Sequence, residues 1–348
     1  MYQKIKEEWI KRQCQDYGGI AVIAGFVVSI LYLLVIMSME GTINLFGEDA
    51  YFKKLVGFGI GILLLGIVCF IDDSKGVHPL VKLATQILVA IIAVCSGIRI
   101  DDIDIDFINQ SSWHDAFYTI LTIGWIVGIT NAINLIDGLD GLSTGIAIIA
   151  SISLLIIFAL NASPMISIIL ITALAGALIG FLPFNFNPAK TFIGDVGSNF
   201  LGFALSIISI LGIAKTYTAI VIIAPLIVLA LPVFDTLFAI VRRLVTGKSI
   251  KAIIMPDKGH LHHKLISKGY TQRQAVLILY GISATFGMFA IILLDSGIWK
   301  ALSFALMIVA AMFIGYNSIF KLKEENNELE KEMEEEVESN KVRSDKKV

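Results

Sequence analysis

Apolar runs as long as a bilayer-crossing helix follow one another from residue 18 to residue 317, and Asp72, Asp73, Asp137, Asp140 and Asp195 stand at their ends. A helix needs about 20 mostly apolar residues to cross a hydrocarbon core. By that ruler the chain holds about ten candidate spans, near 18–37, 55–71, 80–97, 117–134, 142–160, 165–183, 198–214, 217–240, 273–294 and 298–317. A soluble core has no use for so much continuous apolar sequence. Of 348 residues, 56% are hydrophobic and 16% charged, with a mean hydropathy of +0.82. The predicted fold class is an all-α polytopic integral membrane protein.

Alternating the spans across the bilayer places the N-terminus, 72–79, 135–141, 184–197, 241–272 and the tail from 318 on one side. That side carries 22 Lys and Arg at or near span ends; the other carries five, Lys53, Lys54, Arg99, Lys215 and Lys300. The positive-inside bias makes the first side cytoplasmic. Three regions follow: a cytoplasmic segment 1–17, a transmembrane domain 18–317, and a charged tail 318–348. Leu322, Leu329, Met333 and Val337 recur in that tail at near-heptad spacing, so it is either a helical extension or a solvated, fraying end. On the outer side, alternation of apolar and acidic residues over 98–107 predicts a small hairpin. A formal net charge of −2, sorted by face, gives no nucleic-acid footprint. Cys14, Cys69 and Cys95 have no metal-binding spacing, and no disulfide or zinc site is assigned.

A carboxylate at the bilayer edge costs roughly several kcal/mol unless a cation, hydrogen bonds or water compensate it, so repeated placement there points to chemistry. Four segments on the cytoplasmic side stand out. Asp72-Asp73, ahead of Pro79 and Lys82, sets two repelling carboxylates side by side. This suits a general base or a metal-phosphate site, or else a polar turn capping the next helix. Asn131, Asn134, Asp137, Gly138, Asp140 and Gly141 bring oxygen donors and glycines together, either for a hard ion such as Mg2+ or as a capped turn. Asn185 to Ser198 holds Asp195 between Gly194 and Gly197, where a cation could sit at a helix start, and Phe192, which could stack on a base or simply pack at the membrane face. Finally, His260, His262 and His263, with Lys258 and Lys264, form a basic cluster suited to phosphate or a solvated basic helix. An ion-coupled transporter also keeps ionisable residues among its spans, but near the midplane rather than at one face.

Taken together, these motifs and Asp235-Thr236 with Arg242-Arg243 resemble the polyprenyl-phosphate N-acetylhexosamine-1-phosphate transferase superfamily, glycosyltransferase family 4, from about Gly18 to Ile292. The run Asp257-Lys258-Gly259-His260-Leu261-His262-His263 is similar to the branch that uses UDP-N-acetylglucosamine rather than the phospho-N-acetylmuramoyl-pentapeptide branch. The resemblance implies an enzyme that moves N-acetylglucosamine-1-phosphate from UDP-N-acetylglucosamine to undecaprenyl phosphate. It would release UMP and start a lipid-linked cell-envelope glycan. Its implied cofactor is Mg2+, with Mn2+ as a substitute, and its implied partners are a UDP-sugar, a polyprenyl phosphate and the bilayer; a homodimer stays open. By the same resemblance Asp195 is the principal Mg2+ ligand and Asp73 shares the metal. Asp72 serves as base or orienter for the acceptor phosphate, while Asn134, Asp137 and Asp140 organise nucleotide and metal. Asn185 and Phe192 lie near uracil, and Lys82, Arg243, His260, His262 and His263 hold phosphate or sugar. In one respect the sequence departs from the pattern. The branch carries a further span before the Gly-Gly of Gly18-Gly19 and then a basic element with His, whereas 1–17 offers Lys11-Arg12 and no His. A catalytically impaired, lipid-phosphate-binding homologue is the expectation if that segment matters.

Overall fold

A computed structural model describes residues 17–41, 49–100, 113–212, 219–247 and 259–308. The expected N-terminal segment and charged tail lie outside the described residues, as do Cys14, Lys215, Asp257, Lys258 and positions 101–107 of the expected hairpin. Among the described residues the structure is all-helical. In order the helices are α1 Gly18–Met39, α2 Asp49–Lys75, α3 Pro79–Cys95, α4 His114–Ile136, α5 Leu142–Leu160, α6 Met165–Asn185, α7 Gly194–Leu211, α8 Ala219–Val228, α9 Ala230–Gly247, α10 Leu261–Ser267, α11 Gln272–Ser296 and α12 Ile298–Ile308. Seven are long and apolar enough to cross a membrane: α1, α2, α4, α5, α6, α7 and α11. The short apolar α3 and α12 account for two more of the expected runs.

The expected span at 217–240 divides at Leu229. Pro232 explains the break, because it has no N–H to offer the carbonyl of Val228 and its ring crowds that turn. Helical connectivity survives on either side, with Leu229 N–H donating to Pro225 at 2.9 Å and Val233 N–H to Leu229 at 3.2 Å.

Two compact units divide the chain: 1–295, which holds every candidate site residue, and 296–348, whose described part carries α12. In the first unit α7 is the central post, buried from Val196 to Leu211 and packed by α1, α2, α4 and α6. Small residues permit the approach. A Cβ on Gly202 would lie 2.6 Å from Thr130 Cα on α4, and one on Gly19 the same distance from Gly197 Cα. In a bilayer, where lipid tails are as apolar as Leu, such close packing is a main source of helix association. Phe26 and Phe200 meet edge to face at 5.3 Å, and Phe58 meets Phe203 at 5.6 Å, filling the space around α7. The outward faces of α1 and α2 stay apolar, and a cleft of about 500 Å3, lined by residues including Ile23, Ile62, Gly66 and Phe70, lies between them.

Candidate active site

The site forms where α2, α3, α4 and α7 end or begin. Asp72 and Asp73 ride in the last turn of α2, and Gly76, at φ +73°, turns the chain back toward α3. Val77 N–H donates to Asp72 Oδ1 at 2.6 Å, so the carboxylate folds its own loop. Pro79 opens α3 with its fixed φ, and His78 Nδ1 caps the helix by accepting from Leu80 N–H at 3.3 Å. One turn on, Lys82 reaches across the site. Its ammonium lies 2.7 Å from Asp72 Oδ2 and 2.8 Å from Asp195 Oδ2, joining two carboxylates 123 positions apart.

The expected span at 198–214 begins earlier, at Gly194, which puts Asp195 in the first helical turn. Asp73 supplies the cap: its two carboxylate oxygens accept from Asp195 N–H at 2.9 Å and Val196 N–H at 3.1 Å. These are donors that a helix start leaves without intrahelical partners, and the positive end of the helix dipole favours the anion there. Asp195 itself is shared. While Lys82 holds Oδ2, Asn134 Nδ2 donates to Oδ1 at 2.7 Å and to Ser198 Oγ at 2.9 Å.

Beside this cluster lies a cavity of about 250 Å3, lined by Asp137, Gly138, Asp140, Asn185, Phe192 and Gly194 among others. Asp137 follows the last residue of α4, and Ser143 Oγ donates to its Oδ1 at 2.7 Å. Burial, with the nearby charges of Asp195 and Asp73, pushes Asp137 up to about 7, while the Ser143 bond pulls the other way. Asp140 has a building role that its sequence position did not announce. Its Oδ2 accepts from Asn187 Nδ2 at 2.9 Å and Ala189 N–H at 3.1 Å, so it ties down the loop that carries Phe192. The same loop is gripped by α11: Asn187 Nδ2 donates to Gln272 Oε1 and Arg273 Nε to Asn187 O, each at 2.9 Å. Asn185, buried, commits its amide to Thr144 at 2.7 Å and Thr191 O at 3.0 Å, shaping the cavity wall. Phe192 stays exposed on the rim, and Gly141, at φ +77°, accepts from the Tyr280 hydroxyl.

The histidine segment arrives from the far end of the sequence. Asp235 on α9 holds it with both oxygens: Oδ2 lies 2.8 Å from His260 Nδ1, and Oδ1 accepts from Leu261 N–H at 2.8 Å. Two turns along α9, Arg242 donates to Gly259 O at 3.0 Å. So fixed, buried His262 lies against Gly138, where any Cβ would overlap its imidazole. Burial and the adjacent His263 hold His262 down at about 4, which keeps the ring neutral. His263, with ring centroid 4.2 Å from that of His262, remains exposed, and Arg243 lies half-buried on α9.

Residues from six separate stretches of sequence thus meet at one end of the helices. Similarity then names the group. The profile of glycosyl transferase family 4 matches residues 55–213. A probable undecaprenyl-phosphate N-acetylglucosaminyl 1-phosphate transferase of Bacillus subtilis is 36% identical over 297 residues, covering 85% of this chain and 78% of its own.

This chain belongs to glycosyl transferase family 4.

Other relatives agree with that placement. A decaprenyl-phosphate N-acetylglucosaminephosphotransferase of Mycolicibacterium smegmatis is 32% identical over 326 residues, covering 85% of this chain and 76% of its own. A phospho-N-acetylmuramoyl-pentapeptide-transferase of Streptococcus pneumoniae is 35% identical over 219 residues, 60% of this chain and 63% of its own. Like its apolar helices, the family membership makes this a multi-pass membrane protein and a sugar-phosphate transferase. Within the family's matched stretch, sequence reading missed polar residues of the site, among them Gln86, Ser143, Thr144 and Asn199. Gln86 follows Lys82 by four residues and Asn199 follows Asp195 by four, so a helical-face count from either charged residue could have found them.

Proposed function

We propose that this member of family 4 transfers N-acetylglucosamine-1-phosphate from UDP-N-acetylglucosamine to undecaprenyl phosphate at the cytoplasmic face of the inner membrane. The observation that carries the reading is the Lys82 bridge between Asp72 and Asp195, set at the ends of apolar helices beside the cavity of Asp137 and Phe192. A lipid-borne phosphate and a water-soluble nucleotide meet only at an interface. In the net reaction an acceptor phosphate oxygen bonds to the sugar-bearing phosphorus, the bond from that phosphorus to the bridging oxygen breaks, and UMP leaves with that oxygen.

Little covalent work falls to the protein in such a transfer; alignment and charge neutralisation carry most of it. Lys82 brings positive charge to the point where two phosphate groups would approach, and Asp72 fixes where its ammonium sits. Asn134 spends both amide hydrogens on Asp195 and Ser198, holding the Asp195 carboxylate in one orientation. Neutral His262 can donate or accept a hydrogen bond without adding charge. Phe192 offers a flat apolar face at the cavity mouth for a pyrimidine.

Magnesium fits the donor set as an ion completed by the substrate. Among the described residues no group of three or more His, Cys, Asp or Glu could hold a metal by itself. Asp195, with 34% of its side chain exposed, and Asp137 supply hard oxygen donors around the cavity. Mg2+ commonly keeps waters and substrate phosphates in its remaining positions, so one or two carboxylates suffice. When bound, it would neutralise charge building on the phosphate oxygens. A cell-envelope glycan is the natural consumer of the lipid-linked product.

The test is UMP release by the purified protein across a panel of UDP-sugars, with and without undecaprenyl phosphate and Mg2+. Acceptor-dependent release from UDP-N-acetylglucosamine above its congeners supports the reading. Preference for another UDP-N-acetylhexosamine would move the substrate, and no release from any would refute the activity.

A further inference from the structure

Below the charged cluster, one helical turn deeper into α3, α4 and α7, lies a second ring of polar side chains where an apolar interior would be expected. Gln86 sits four residues after Lys82, Asn199 four after Asp195, and Asn131 three before Asn134. These separations place each on the same face of its helix as its charged or polar partner above. The lower residues bond to one another as the upper ones do. Gln86 Nε2 donates to Asn199 Oδ1 at 2.9 Å, and Asn131 Nδ2 donates to Gln86 Oε1 at 2.6 Å. Asn199 Nδ2 donates to the Asp195 main-chain carbonyl at 2.9 Å, which links the tiers. Asn131 uses its second amide hydrogen on Val127 O at 2.9 Å. Gln86 and Asn199 are 2% and 0% exposed, and the other buried residues of their helices are apolar, Gly or Ser.

We infer that Gln86, Asn131 and Asn199 are positioning residues: their amide tier sets the rotation and depth of α3, α4 and α7, and so presents Lys82 and Asn134 to the two oxygens of Asp195. An amide reads direction in a way that apolar packing does not. Gln86 must turn its oxygen to Asn131 and its NH2 to Asn199, and sliding α3 by one residue against α7 breaks both bonds while Leu-on-Leu contact would survive. In lipid an unpaired amide has no water to turn to, which sharpens the preference for the one register that pairs all three. In the upper tier the Asn134 amide ties α4 to α7, whereas α3 reaches α7 through Lys82, whose long side chain could follow a displaced carboxylate.

The catalytic arm of the test rests on the transferase reading; the thermal arm does not. In detergent or nanodiscs, Gln86→Leu and Asn199→Leu should each lower Tm, and the double variant should fall by clearly less than the sum of the two, since either single change already breaks the shared bond. For Gln86→Leu, kcat should drop tenfold or more at saturating substrates, measured on the folded fraction, with the KM for UDP-sugar within about threefold of the parent. The swap Gln86→Asn with Asn199→Gln, which restores the summed length of the two amides, should recover more kcat than either of its single changes. Additive Tm shifts would overturn the tier whatever the activity. A Gln86→Leu protein with parental kcat, or a kcat loss matched by the loss of folded protein and not repaired by the swap, would overturn its positioning role. If the parent chain itself transfers nothing, the functional reading fails while the thermal cycle still judges the tier.

Discussion

Lys82 is the residue on which the site turns, since two carboxylates face each other through its ammonium. Replacing it by Met keeps the stem and removes the charge, leaving Asp72 and Asp195 to repel. The expected result is a fall in kcat of about a hundredfold or more, the scale seen when an electrostatic contact to a transition state is lost. Radiolabelled sugar-phosphate transfer to lipid measures it, and activity within about threefold of the parent would remove Lys82 from the mechanism. Asp195→Asn tests the other partner. It keeps the shape and weakens both the ion pair and any cation, so transfer should collapse and excess Mg2+ should not restore it. His262 makes a prediction about stability instead. Its imidazole is held near 4 when folded against 6.5 when free, so between those values the unfolded chain binds a proton that the folded one refuses. Stability should therefore decline as pH falls from about 6.5 to about 4, and His262→Gln should flatten that decline in a series of thermal melts. A variant whose Tm tracks the parent at every pH would rule out burial as the cause. Asp195, Asp72 and the His cluster were legible in the sequence because charged residues are conspicuous beside apolar runs. Gln86 and Asn199 were less conspicuous, because a single amide in such a run looks like noise unless it is counted along the helical face from Lys82 or Asp195.

At the level of elements, α7 and α9 perform different duties. α7 is a post, and its contact with α4 depends on Gly202 lacking a side chain. Gly202→Val would force the helices apart at the depth of Thr130, about one turn from Asn134. Overpacking of this kind costs about 1–3 kcal/mol. The expected outcome is a lower Tm together with lost transfer, since the Asn134–Asp195 bond at 2.7 Å spans that same interface. Parental activity in Gly202→Val would mean that the α4–α7 spacing does not set the site. α9 is a clamp, with Asp235 and Arg242 on one face gripping the loop before and at the start of α10. The extent of most long helices could be read from the length of apolar runs, and α5 matches its expected limits at 142–160. Hydropathy could not place the break at Leu229, because one Pro232 barely lowers the mean of so apolar a run and acts instead through a missing N–H. Nor could it place the start of α7, where Gly194-Asp195 reads as loop until Asp73 arrives from α2 to cap it.

For the whole molecule, the strongest constraint is that the site residues of the first unit share one end of the helices, and the alternation expected from the sequence would divide the basic residues 22 to five by side. The first comes from side-chain contacts; the second is an expectation that depends on the alternation. The shared end requires that the helices around the site alternate in direction, including the short α3, whose 17 residues carry the chain from Pro79 at the site to Cys95. A shift of a single span would put Asp72 and Asp195 on opposite faces, and Lys82 could not then touch both. Orientation in the membrane can be measured directly. Cys95 is exposed and Cys69 buried, and both are first replaced by Ser together with Cys14. Single cysteines are then introduced at Lys75, Lys190 and Lys268 on the site side and at Lys53 and Arg99 on the other. In right-side-out vesicles a membrane-impermeant maleimide should label 53 and 99, and should reach 75, 190 and 268 only after the membrane is opened. Inverted vesicles should reverse the pattern. Labelling of 75 and 190 from opposite sides would break the alternation, and with it the argument that a soluble nucleotide and a lipid phosphate can reach Lys82 together. Uniform labelling of the site side from outside would keep the fold and move the chemistry across the membrane.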